Sequence, residues 1–122
     1  MSGSEPVRPL PAAAVPKSSV PRLDVYPLSG RTGFRAAGEV SLPTRAVWER
    51  ALERAVGEGE DMYYLELSAL TFVDVAGVGA LVDTARSLRE PRRLVLHRPP
   101  PAVPRLLELL WPGLPGIEVS AS

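Results

Sequence analysis

The chain of 122 residues predicts an α/β fold, a mostly parallel sheet with helices packed against it. Three observations lead there. Short apolar runs with strand character alternate with longer segments whose apolar residues recur at three-and-four spacing. Proline, glycine and polar residues punctuate the joins. The apolar content of 45% with zero formal net charge suits one modest core in one domain. The predicted order is β-β-α-β-α-β-α-β, and its strand–helix–strand repeats favour right-handed crossovers.

Residues 1–22 read as a disordered tail, with Pro6, Pro9, Pro11, Pro16 and Pro21 among small residues. The domain then occupies residues 23–122. Leu23–Leu28 is a first strand, placed at an edge or cut short by Pro27. Ser29–Gly33 reads as a hairpin loop, and Phe34–Val40 as the second strand. Thr44 is the expected N-cap of a helix over residues 45–56, whose apolar face is Trp48, Ala51, Leu52 and Ala55. Gly57 suits a left-handed position just past that helix. The acidic run from Glu58 to Asp61 reads as solvated loop.

The centre of the chain is MYYLEL at Met62–Leu67, a buried strand. Ser68–Thr71 reads as a turn-like break before Phe72 and Val73. Asp74 stands where an N-cap belongs, able to accept from the N–H of Ala76 or Gly77. Val78, Leu81, Val82, Ala85 and Leu88 form one helix face behind it. Gly77 and Gly79 weaken the first turn, a cost tolerated where backbone approaches something closely. Pro91 stops this helix. Leu94–Leu96 forms a short buried strand, Ala102–Leu110 a last helix with Val103, Leu106, Leu107 and Leu110 inward, and Ile117–Val119 a last strand. Trp111 is placed to cover the end of the last helix.

The inventory excludes several chemistries. There is no Cys, one His at position 97, and one Lys at position 17. Thiolate and multi-histidine metal sites cannot be assembled from this set. No P-loop and no G-x-S-x-G motif occurs. His97 reads as structural or exposed, and no catalytic or metal-binding residue and no cofactor is expected. The balanced charge argues against nucleic acid as the main partner. No segment reaches the roughly 20 apolar residues of a membrane span, and no signal-peptide pattern opens the chain, so a cytoplasmic location is expected.

The string Asp74-Val75-Ala76-Gly77-Val78-Gly79 resembles the centre of the STAS domain, strand then D-[ST]-[ST]-G-[LV]-G then helix. Gly38-Glu39-Val40 is similar to the G-E-[LV]-D that closes the second strand in that family. The resemblance covers residues 23–119 and implies a mixed, mostly parallel sheet. It is strongest to bacterial anti-sigma factor antagonists, in which a kinase phosphorylates the second residue after the Asp. That residue is Ala76 here, and the Asp near the phosphorylated loop is replaced by Ser41. Both positions of the switch are missing. The resemblance implies a docking surface at Asp74, Val75, Ala76 and Gly77, continued by Asp83, Arg86 and Ser87. The residues alone leave open whether Val75 and Ala76 meet a partner or pack on the sheet. Ser68, Thr71, Thr84 and Ser87 are expected near solvent, as other possible phosphate acceptors. The implied partner is an ATPase-fold anti-sigma factor or another STAS-containing protein. The alternative is an assembly subunit of a sensory or transporter-associated complex, with self-association.

Overall fold

The computed structural model describes residues 20–121. Most of the expected N-terminal tail lies outside them. Among the described residues the strands are β1 (Leu23–Pro27), β2 (Gly33–Val40), β3 (Met62–Val73), β4 (Arg93–His97) and β5 (Ile117–Ser120). The helices are α1 (Arg45–Gly57), α2 (Val75–Ser87) and α3 (Ala102–Leu110), with a 3-10 turn at Leu42–Thr44 before α1. The predicted element order therefore holds.

The five strands stand in the sheet in sequence order, β1 to β5. β1 pairs antiparallel with β2, and every later neighbour pair is parallel. This is the mixed, mostly parallel sheet expected. The order has a further consequence. Each parallel crossover steps the same way across the sheet, and right-handed crossovers then deliver every helix to the same face. The core lies between that face and the helices. Trp48 and Leu52 from α1, Val78 and Leu81 from α2 and Val103 from α3 meet Phe34, Leu65, Leu67, Leu94 and Leu96 from the strands. The Trp48 ring stands edge-on to Phe34, with centroids 6.0 Å apart.

Several expectations need correction. β3 does not break at Ser68–Thr71 but runs on to Val73. Its ladder with β2 slips between Arg35 and Ala37 and again between Gly38 and Glu39, so β3 carries extra residues at both points. Such bulges break the period of two and make a continuous strand look like a strand and a turn. Gly38 serves the second slip. Its φ is +120°, and an added Cβ would stand 2.1 Å from the carbonyl oxygen of Arg22.

Thr44 precedes α1 but does not cap it through its side chain. Its hydroxyl instead accepts from the N–H of Ser41 at 3.0 Å and donates to the Glu39 carbonyl at 2.9 Å, locking the 3-10 turn. Gly57 is the last residue of α1 and has no positive φ; Glu58 follows in extended conformation. α2 ends at Ser87, before Pro91, where the N–H of Leu88 bonds the Ala85 carbonyl. In α3, Val103 is buried and Leu106 and Leu107 are half-buried, but Leu110 faces water.

The end of α1 is held from a distance. The Arg92 guanidinium donates to the carbonyls of Ala55 at 2.8 Å, Val56 at 3.3 Å and Glu60 at 3.2 Å, and to that of Glu58. One planar fork thus satisfies last-turn carbonyls and ties down the acidic loop. Arg92→Met keeps the stem and removes the fork. It is expected to cost about 1–2 kcal/mol in urea unfolding and to speed amide exchange around the end of α1 and the following loop.

Candidate functional site

The site forms where β2 and β3 end side by side and α2 begins. Val40 pairs with Val73, and the N–H of Asp74 donates to the Val40 carbonyl at 3.0 Å. The turn into α2 is therefore fastened to the end of β2. Asp74 is extended (φ −80°, ψ 173°), and its carboxylate accepts from the N–H of Gly77 at 2.7 Å. This is the predicted N-cap, with Gly77 as the donor. The Asp74 carbonyl takes the N–H of Val78 and starts the helix ladder.

Gly77 faces inward, which corrects its place in the expected docking surface. It is buried, and an added Cβ would lie 2.6 Å from Val40 Cγ1 and 2.9 Å from Val73 Cγ1. Its carbonyl accepts from the Trp48 indole N–H at 3.0 Å, in a buried hydrogen bond between α1 and the first turn of α2. The glycine thus lets the helix sit directly on two valines. Gly79 differs, since an added Cβ would meet only the Trp111 ring, at 3.9 Å. The Trp111 side chain, at the end of α3, thus reaches α2, whereas the sequence placed it over the end of its own helix.

The rest of the predicted set lies on the other side of α2. At about 100° per residue, Val75, Ala76, Gly79, Asp83, Arg86 and Ser87 share one face. Val75, Ala76, Asp83, Arg86 and Ser87 are exposed, and Val78, Leu81, Val82 and Ala85 are buried opposite. Val75 is 52% exposed, so it does not pack on the sheet. The face is apolar at its start and charged further on.

Ser41 follows Val40 directly and so sits beside the Asp74 turn. Its hydroxyl is buried and has no hydrogen-bond partner among the described residues. Of the other hydroxyls, Ser68 and Thr71 are exposed, and Thr71 donates to the Gly38 carbonyl at 3.1 Å. Ser87 donates to the Asp83 carbonyl at 3.0 Å. Thr84 corrects the expectation of a wet position. It is buried and donates back to the Ala80 carbonyl at 2.8 Å.

Two residues that the sequence reading passed over stand at this same end of the sheet. Leu42 is 71% exposed in the 3-10 turn, and Phe72 is 50% exposed beside Glu39 on β2. The signal was a large apolar side chain inside a short connection, Ser-Leu-Pro-Thr, and a Phe placed out of the strand's alternation. Among the described residues no group of three or more His, Asp or Glu could hold a metal ion. No described helix is long and apolar enough to cross a membrane.

The contrast between the two glycines is measurable. Gly77→Ala is expected to lose about 1–3 kcal/mol, because the methyl has no room against Val40 and Val73. Gly79→Ala is expected to be neutral or to gain up to about 1 kcal/mol, because helix propensity improves without a clash. Urea titration of both variants decides this.

Comparison with known proteins agrees with this architecture. No curated protein matches the sequence. The solved anti-sigma factor antagonist from Mycobacterium paratuberculosis superposes with a TM-score of 0.64 at 21% identity, over 83% of this chain and 86% of that one. The anti-sigma factor antagonist SpoIIAA in its unphosphorylated form gives a TM-score of 0.57 at 17% identity, over 83% of this chain and 90% of that one. At these identities the likeness establishes the fold. A family model described as Mlab, STAS domain, matches residues 29–111, which take in β2, the capped turn at Asp74, α2 and α3. The chain belongs to the STAS domain family.

Proposed function

We propose that the protein is a non-catalytic docking module that binds a partner protein through the exposed face at the start of α2. The observation that carries this is the split within one helical turn. Gly77 and Val78 hold the turn onto the sheet, while Val75 and Ala76 are exposed. Apolar side chains left exposed at a rigidly fixed helix start suit contact with another protein. Asp74 contributes by fixing the turn, and Asp83, Arg86 and Ser87 extend the surface along α2. Gly77 supports the surface from beneath.

The fold is shared with anti-sigma factor antagonists, so an ATPase-fold anti-sigma factor is the first partner to test. Another STAS-containing protein is the next. In this reading position 76 has no hydroxyl, so the docking state cannot be removed by a phosphate there. A phosphate would add nearly two negative charges to the contact surface. Control would pass to expression or to a further partner.

A second reading, an assembly subunit, has its own support. Leu109 and Leu110 on α3 and Val119 on the edge strand β5 are exposed apolar side chains. Self-association seen by light scattering and lost on Leu110→Glu would favour it.

Ala76→Asp separates folding from docking. Position 76 is exposed in the first turn of α2, where the helix dipole welcomes an anion. The variant is expected to unfold within about 1 kcal/mol of the parent. Calorimetric titration with ATPase-fold anti-sigma factors, with and without ATP, should show binding by the parent and at least a tenfold loss in the variant. Parent binding left unchanged by Ala76→Asp would move the docking surface elsewhere, and no binding by any partner would favour the assembly reading.

A further inference from the structure

The face of the sheet opposite the helices has its own chemistry. Pairing register assigns its side chains. Leu23, Phe34, Leu65, Leu94 and Leu96 point into the core, so the alternate residues point the other way. Tyr26 stands opposite Arg35, Arg35 beside Glu66, Glu66 beside His97, and Tyr64 beside Val95. Val95 is only 3% exposed yet is not part of the main core, as expected for a residue on the second face. Parallel strands are usually covered on both faces. No described helix covers this one.

Its charges are unevenly matched. Asp24 pairs with Arg22 at 3.7 Å, and Glu118 with Arg93 at 3.1 Å. Glu66 meets Arg98 at 3.2 Å and His97 at 3.9 Å. Burial raises the Glu66 pKa, but hydrogen bonds from Ser68 and Arg98 outweigh it and hold the carboxyl below its ordinary value. Each of these acids therefore has a cation. Among the described residues, Arg31 and Arg35 have no carboxylate in ion-pair range. Arg31 lies over the Tyr64 ring at 4.3 Å, and Arg35 over the Tyr26 ring at 5.7 Å. Glu60 and Asp61 border the same hollow as Arg31 but form no ion pair with it. A guanidinium resting on a ring is held in plane, and its N–H edge stays free for a carboxylate.

We propose that this helix-free face is a second docking surface, and that its occupant is an acidic segment of a partner protein whose carboxylates engage Arg31 and Arg35. Charge complementarity carries the choice of occupant. The two forks suit bidentate carboxylates. A nucleic acid fits less well, because the arginines of this face stand among Asp24, Glu66 and Glu118 and form no continuous basic stripe. Arg31 already rests on the Tyr64 ring, which takes one stacking surface from a base. This surface is independent of the one at the start of α2.

The test uses the full chain, labelled with nitrogen-15, and a short poly-L-glutamate as probe. Amide shifts are expected at Tyr26, Arg35, Tyr64 and His97 and not at Val75 or Ala76, and they should weaken with added salt. The double variant Arg31→Glu/Arg35→Glu should keep the remaining amide spectrum and lose about tenfold or more in affinity. Arg31→Lys/Arg35→Lys, which keeps charge without the fork, should fall between. Shifts elsewhere, or unchanged affinity in the glutamate variant, would overturn the proposal. So would tighter binding of an oligothymidylate of the same length, or concentration-dependent shifts at this face without any probe, which would make the occupant a nucleic acid or a second copy.

Discussion

The first turn of α2 rests on Val40 and Val73 with no side chain between, and this one contact governs the geometry around it. Val40 and Val73 are the paired last residues of β2 and β3, so a helix seated on them takes its height and direction from the sheet. Only glycine allows that approach, and its carbonyl then receives the Trp48 indole N–H. Trp48 is fully buried and central to α1, so the same hydrogen bond orients α1 against α2. A buried carbonyl left unpaired costs about 1–3 kcal/mol, so the tie resists separation of the two helices. The carboxylate of Asp74 closes the turn from the solvent side. The exposed residues at 75 and 76 inherit their positions from these inward contacts.

The sheet order has the second large effect. With strands in sequence order, every parallel crossover turns the same way, and the helices share one face. Most parallel sheets avoid this by reversing direction partway and covering both sides. Here the uncovered side is made polar strand by strand, with ion pairs and arginine–tyrosine stacks in place of a second helical layer. The protein thus has two faces of different chemistry, a helical one and a flat charged one.

Much of this was legible in the sequence. The bounds of α3 followed from the proline run before it and the spacing of Val103, Leu106 and Leu107. The inward face of α1 and the Asp74 cap were read from position alone. The rest depended on contacts that have no local signature. The bulges in β3 disguised half of that strand, because side-chain alternation is the signal and a bulge resets it. Gly77 looked like exposed backbone, since nothing nearby in sequence announces Val40 beneath it. Trp48 read as core, correctly, but its N–H bond spans 29 positions. The capping fork of Arg92 reaches back to Ala55 in the same way. Thr84 looked polar and therefore wet, but its hydroxyl is satisfied by its own helix and its side chain is free to be buried.

The seat of α2 is made by an amide, a carbonyl and an absent side chain, all at Gly77. None of these depends on what residues 75 and 76 are. Stability and surface identity are therefore written in different alphabets, one in backbone geometry and one in side chains. Such a division gives a chain evolutionary latitude. The outward positions can drift in size, charge or reactivity while the fold beneath keeps its shape. A single oxygen atom is all that separates the alanine at 76 from a hydroxyl-bearing residue.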